Sequence, residues 1–449
     1  MRILIIGAGK GGWHLTDILC QEKHDVVVID QDPRVLEAME AHLDVLTICG
    51  HGSSPRVLEE AEVGKTDLLV AVTDRDEVNV VACLYARQAG VKHRIARITN
   101  QDFLDDHSRL KLADAGVDLV VSKAGTTADE LNNILRLPGA TEVVNLLDCR
   151  VQVVGIRVHM DSPLLRTPLG KVDEPDMLHA MRAIAVMRGD ELIIPRGDTR
   201  FLIGDDVYVI SRPDYVPTFL RWASPEHTPF AKIIIGGGGD LGLRLAHLLE
   251  GAPGQVVLLE RDAEQALRCS SILDRTLVIH GDTLDEEVLQ NAGIVDDTAF
   301  VASTGNDENN IIGCMLAEKL GVRYTLAQIS KDEYVSIINS QSLLDRAVSP
   351  YTTMSNAILH FIRGRNIKSA TLLHRLPGEL LEVVLPERNK WTDVAIRDIR
   401  LPKGTVIAAV KRGVEVMIPT GDLVLEAGDQ LAVFARPAAV GKIQNLFKG

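Results

Sequence analysis

The chain has 449 residues, 46% of them hydrophobic, 24% charged and 4% aromatic, and it carries a net charge of −14. That length suits about three or four domains with sizeable cores, and the aliphatic, aromatic-poor composition is that of an α/β protein. The acidity argues against a nucleic-acid backbone as partner. No apolar run reaches the roughly 18 residues of a membrane span, and the start lacks the charged region and cleavage site of a secretory leader, so the sequence predicts a cytosolic protein without direct membrane insertion.

In chain order, Met1 to Ile6 is an apolar, β-branched run predicted as a strand. Gly7-Ala8-Gly9-Lys10-Gly11-Gly12 breaks it, Trp13 to Cys20 follows with helical spacing, and a second strand, Asp25 to Asp30, ends in an acid. Eighteen residues from Gly12 to Asp30 is close to the separation of about 20 in a dinucleotide-binding βαβ unit. Gly7 permits the tight turn, Gly9 lets the backbone approach a pyrophosphate, and Gly12 lets helix pack on strand. The helix N-terminus offers free N–H groups and partial positive charge, and Asp30 is placed to accept from ribose hydroxyls. A glycine turn alone also serves plain strand-to-helix packing, but strand, helix and acid together favour a nucleotide site.

Val45 to Cys49, Leu68 to Val72 and Arg94 to Ile98 read as further strands of a doubly wound sheet. The same unit then recurs. Gly237-Gly238-Gly239-Asp240-Leu241-Gly242 and Glu260 repeat the first turn and its acid at an offset of 230, while Gly50, Thr73, Asp76, Asn79 and Cys83 match Gly281, Thr304, Asp307, Asn310 and Cys314 at 231. Thr73 and Thr304 are expected to cap the next helix, with Asp76 and Asp307 answering, or to flank a nucleotide at the carboxyl edge of the sheet.

A smaller unit follows each copy. Arg188-Gly189, Ile194-Pro195, Gly197 and Gly204-Asp205 recur as Arg412-Gly413, Ile418-Pro419, Gly421 and Gly428-Asp429, all offset by 224. The Gly-Asp pairs suit tight hairpin turns, which predicts an α+β unit with an antiparallel sheet. The fold class is therefore α/β: two Rossmann-like doubly wound parallel-sheet domains, each followed by a small α+β domain. The boundaries fall at 1–140, 141–222, a 223–230 linker, 231–367 and 368–449. Six scattered cysteines without a C-x-x-C pair read as reduced core residues, and no histidine pattern suggests a metal site.

This duplicated four-part order, with R-G-x4-I-P-x-G-x6-G-D in each small unit, resembles the TrkA family. Its members are peripheral regulatory subunits of bacterial Trk potassium uptake, built from modules of the type called regulator of K⁺ conductance (RCK), or KTN. The resemblance spans essentially the whole chain. It implies NAD(H), and in some members ATP or ADP, bound by the parallel-sheet domains, and effectors bound by the small ones. It also implies assembly into a homo-oligomeric ring beneath a potassium-translocating membrane subunit of the TrkH or TrkG type. Carried over by position, the first site comprises Gly7, Ala8, Gly9, Lys10, Gly11, Asp30, Thr73, Asp74 and Arg97, the arginine reaching the phosphates. Where relatives often have Gly-Asp after the third strand, this chain has Gly50-His51, and His51 is retained as a weaker member of the site. Ring contacts are expected on Val78 to Leu84 and Asn310 to Leu316, unless those helices serve only the core.

The two copies differ. Lys10 is matched by Asp240 and Arg97 by Gln328, so the first site is expected to hold a charged nucleotide more tightly. The alternative, an NAD-dependent oxidoreductase, needs an acid or base near the nicotinamide. No Lys, His or Tyr recurs in such a place, and His51 is replaced by Asp282.

Overall fold

The computed structural model describes residues 1–104, 109, 111–166, 180–189, 191–225, 229–341, 343–363, 369–373 and 376–447. Six parallel strands open the chain: β1 (Arg2–Ile6), β2 (Asp25–Asp30), β3 (Leu46–Cys49), β4 (Leu68–Ala71), β5 (His93–Arg97) and β6 (Leu119–Val121). They lie in the order β3-β2-β1-β4-β5-β6. Helices α1 (Lys10–Gln21), α2 (Pro33–His42), α3 (Pro55–Glu60) and α4 (Asp76–Gln88) connect them, and α5 (Lys123–Arg136) leaves β6.

From Ile3 to Ile6 the central strand is apolar and buried, because both its faces are covered, as parallel sheets require. Leu4 pairs with Val27 on one side and Leu69 on the other, and all three are buried with Ile6, Ile29 and Cys83. Strand order reverses between β1 and β4, and Val72 N–H donates to Ile6 O at 2.8 Å. The glycine turn and Thr73 therefore meet at the topological switch point, where such sheets hold ligands.

The next five strands, β7 (Ala140–Leu146), β8 (Val151–Arg157), β9 (Met181–Arg188), β10 (Glu191–Ile193) and β11 (Asp206–Ser211), form an antiparallel sheet in the order β10-β9-β11-β8-β7. Its tight hairpin falls at Arg188-Gly189, where Gly189 has φ +58°. Gly204-Asp205 instead closes a turn ahead of β11, with Asp205 N–H donating to Leu202 O at 3.1 Å. Asp205 thus lies outside any hairpin, because β11 pairs with β8 and β9 and not with β10, the strand before it. It is buried and takes a two-pronged ion pair from Arg188, Nε to Oδ1 at 2.9 Å and Nη2 to Oδ2 at 2.8 Å. The arginine and aspartate of the repeated motif are thus partners, and Arg412 with Asp429 repeats the pair at 2.8 Å in both contacts.

The second copy runs β12 (Lys232–Gly236), β13 (Gln255–Glu260), β14 (Leu277–His280), β15 (Thr298–Ala302), β16 (Tyr324–Gln328) and β17 (Arg346–Val348), in the order β14-β13-β12-β15-β16-β17. A second antiparallel sheet, β18 (Ser369–Leu373), β19 (Leu376–Val384), β20 (Thr405–Arg412), β21 (Glu415–Met417) and β22 (Gln430–Ala435), has the order β18-β19-β22-β20-β21. The short strands β6 and β17 were not expected from the sequence, since runs of three residues, Leu-Val-Val and Arg-Ala-Val, are too short to show a period. Part of the linker expected at Ser224 to Pro229, residues 226–228, lies outside the described residues.

Two compact units result: Met1–Leu131 with Ala231–Leu359, and Asn132–Phe230 with His360–Gly449. In the first, the hydroxyl of Thr353 in helix Pro350–Arg363 meets that of Thr127 in α5 at 2.9 Å. In the second, Leu146, Val153, Ile184 and Tyr208 share one core with Leu380, Ala408 and Phe434.

Candidate nucleotide clefts

At the end of β1, Gly7 has φ +105°, and a Cβ there would come within 3.0 Å of the Thr73 backbone. A Cβ on Gly12 would lie 1.9 Å from Gly7 O, so glycine alone lets α1 start against the turn. Around Gly9 the space is open, with nothing within 4 Å of an added Cβ. Gly9 caps α1 without a side-chain acceptor, and the first turn holds no acid. The helix thus presents bare N–H groups and positive potential to this opening.

Asp30, at the end of β2, is also a structural brace. Its Oδ2 accepts Ala8 N–H at 2.6 Å and its Oδ1 accepts Asp32 N–H at 2.9 Å. A carboxylate offers about four acceptor positions, so two remain for a ribose diol.

The opposite wall is held by a residue that the repeat displays in both copies but to which the sequence assigns no role. Asn79, fully buried on α4, accepts from Thr73 N–H at 3.1 Å and Thr73 Oγ1 at 2.7 Å. It donates to Thr73 O at 3.1 Å and Arg97 O at 2.8 Å. One amide thereby ties the exits of β4 and β5 together and sets the root of Arg97. Asn310 does the same for Thr304 and Gln328. An asparagine recurring at the same place on the buried face of an apolar helix was the available signal. The expected capping role of Thr73 does not hold. The helix starts at Asp76 after Arg75, with no side-chain cap, and Asp76 accepts instead from Thr99 N–H at 2.9 Å and Asn100 N–H at 2.7 Å. In the second copy the cap is Asn306, which accepts from Asn309 N–H at 2.7 Å, rather than Thr304.

These residues enclose a cavity of about 400 Å³ lined by Gly7, Gly9, Lys10, Gly11, Asp30, Thr73, Asp74 and Arg97, together with Arg75, Lys123, Tyr351 and Met354. Ala8 and Gly12 are not in the lining and serve the turn. His51 is not in it either, although Gly50 and Gly52 are; its Nδ1 meets Ser53 Oγ at 2.8 Å. Four basic residues and two acidic ones, Asp30 and Asp74, thus line one cleft. The Arg97 Nε is buried and has no partner among the described residues. Burial, then Arg97 and Lys10, hold the Lys123 ammonium below the usual lysine range. A cradle with an open glycine, bare helix amides and an arginine whose buried Nε is unpaired fits a phosphate-bearing ligand.

The second cleft, about 450 Å³, keeps the skeleton. Gly237 has φ +109°, a Cβ on Gly242 would meet Gly237 O at 1.8 Å, and Glu260 accepts Gly238 N–H at 2.6 Å and Asp262 N–H at 2.8 Å. Gly237, Gly239 and Glu260 line it, whereas Gly238, Asp240, Leu241 and Gly242 do not. Among the described residues its one basic lining residue is Arg261, set against Glu260 and Asp282.

The cysteines divide. Cys83, Cys269 and Cys314 are buried, and burial pushes the Cys83 thiol up to about 12. Contrary to a core role for all six, Cys49 and Cys149 are exposed; all are free thiols. Among the described residues no group of His, Cys, Asp or Glu could hold a metal ion, and no helix is long and apolar enough to cross a membrane.

The TrkA-N domain model matches residues 3–123 and 233–350, and the TrkA-C domain model matches 153–224 and 380–448. The chain belongs to the TrkA family. The Trk system potassium uptake protein TrkA of Azorhizobium caulinodans is 33% identical, with 100% of this chain and 99% of the relative covered. That of Halomonas elongata is also 33% identical, over 97% and 95%. Membership of the TrkA family makes the chain a regulatory subunit of Trk potassium uptake rather than an enzyme. Among solved structures, the GsuK RCK domain matches with a TM-score of 0.62 at 18% identity, covering 99% of this chain and 94% of that one. The GsuK channel bound to NAD matches at 0.61 and 18%, covering 99% and 78%. At that identity the likeness is one of fold, RCK modules in tandem.

Proposed function

We propose that the chain is a nucleotide-sensing regulatory subunit whose first cleft binds NAD(H) or an adenine nucleotide, and that occupancy gates a membrane potassium-translocating partner of the TrkH or TrkG type. The observation that carries this reading is the convergence of Lys10, Arg97 and Lys123 on an open glycine turn facing Asp30. The turn and helix N-terminus would hold the diphosphate, Arg97 would neutralise it, and Asp30 would take the ribose hydroxyls. NAD bound to the GsuK channel, which shares the fold, supports the choice of ligand.

Binding shifts a regulator only through different affinity for its two arrangements, so ligands of different charge would favour different forms. The working assembly is a homo-oligomeric ring held at the inner face of the membrane by its partner. The helices suited to its contacts bury one side and expose apolar pairs on the other: Val81 and Leu84 on α4, and Ile312 and Met315 on helix Asp307–Lys319. The second cleft, poorer in cations, would bind charged nucleotide weakly.

Calorimetry with NADH and ATP tests the site. Asp30→Ala should lose at least tenfold in affinity while Glu260→Ala stays within about threefold, a tenfold loss being about 1.4 kcal/mol. Equal losses from the two variants would remove the asymmetry. Potassium flux through the reconstituted complex that ignored every nucleotide would remove the sensor.

A further inference from the structure

The first cleft is not completed by its own module. Helix Pro350–Arg363, which belongs to the second copy, supplies Tyr351 and Met354 to its lining. The Lys123 ammonium lies 4.9 Å from the centroid of the Tyr351 ring. Hydroxyl contacts of Thr353 with Thr126 and Thr127, at 3.3 and 2.9 Å, fix the two helices side by side. The arrangement is not reciprocal. Helix α5 and helix Pro350–Arg363 are equivalent elements offset by 227, so Lys123, Ala124 and Thr127 correspond to Pro350, Tyr351 and Met354. Among the described residues the second cleft therefore has neither an equivalent of Lys123 nor an aromatic wall, and no residue of α5 lines it.

Lys10 and Arg97 suffice for the two phosphates of a diphosphate. Of the two further basic residues in the lining, Arg75 and Lys123, the second is shared with an aromatic face from another module and calls for further negative charge. We propose that Lys123 and Tyr351 form a subsite for a phosphoryl group beyond the diphosphate, so that Lys123 sets preference by phosphate-chain length and the second module takes part in that choice. This rests on the reading of the first cleft as a nucleotide site. A terminal phosphate drawing the ammonium away from the ring would weaken a contact between the modules, so the ligand's charge is felt at their seam.

Calorimetry on the full-length chain with ADP and ATP as probes tests the subsite. Lys123→Gln should lower ATP affinity roughly tenfold to a hundredfold, the worth of one charge-assisted hydrogen bond, while ADP affinity changes less than about threefold; Lys123→Arg should restore the ratio. Tyr351→Leu should shift the ATP-to-ADP ratio a few-fold in the same direction, the scale of a partly exposed cation–π contact, and Tyr351→Phe should not. Equal losses for both nucleotides, or none, would overturn the subsite. If Asp30→Ala then abolished binding of both while Lys123→Gln left both intact, the nucleotide site would stand and the subsite alone would fall. Wild-type protein that bound neither nucleotide nor NADH would overturn both.

Discussion

Gly12 and Gly9 sit three residues apart on the same turn and do different work. A methyl on Gly12 meets the carbonyl of Gly7, a backbone atom that cannot move aside without shifting α1 off β1. Gly12→Ala should therefore destabilise the first module by about 2 kcal/mol or more, seen as a lowered thermal midpoint. Gly9→Ala meets nothing, and its backbone is extended at φ −63° and ψ −180°, so its stability should change by less than about 0.5 kcal/mol. Its affinity for a diphosphate nucleotide should nevertheless fall, because the methyl occupies the space a phosphate would take. Loss of stability without loss of binding would contradict that division. Asp30 shows why one residue can carry two readings: a carboxylate braces the turn through two amides and keeps acceptor capacity for a sugar. The glycines and this acid were legible as types at a spacing. Asn79 was not, because its role is defined by the two strand exits it joins.

Among elements, the small antiparallel sheets show how a motif read as turn chemistry can be an ion pair. Arg188 ends β9 and Asp205 precedes β11, 17 residues apart, and neighbouring strands bring them together around a carboxylate that is 1% exposed. Arg188 Nη2 also donates to Arg200 O, and Asp205 Oδ2 accepts Leu202 N–H, at 2.9 and 2.8 Å. Arg188→Leu would leave the buried acid with one backbone donor. With the arginine partly exposed, the expected cost is about 2–3 kcal/mol, measured as a fall in the denaturant midpoint; Arg412→Leu should behave alike. A neutral result would mean that the paired geometry adds little beyond the turn. The sequence displayed the repeat of these residues but not their pairing, since period and spacing describe one strand at a time.

For the whole molecule, duplication matters because like packs with like. The first antiparallel sheet contributes Leu146, Val153 and Tyr208 to a core it shares with Leu380 and Phe434 of the second, and α5 meets its own counterpart through Thr127 and Thr353. Residues 1–225 expressed alone would expose both surfaces. Since each surface faces its own repeat, two such fragments can substitute for the missing half. Light scattering should find a dimer of this fragment, or aggregation, rather than a stable monomer. A well-folded monomer would show that the shared core is dispensable.

The sequence by itself determined the doubly wound units, their duplication, the glycine cradle with its acid, and the loss of Lys10 and Arg97 equivalents from the second copy. Each of these is local, set by periodicity, backbone freedom and charge within one unit. Only the tertiary structure decided that the His51 ring meets Ser53, that Asn79 joins two strands, and that Lys123 and Tyr351, 228 residues apart, meet at the first cleft. Those facts depend on which surfaces of the two copies are buried against each other, and burial between distant segments leaves no period along the chain.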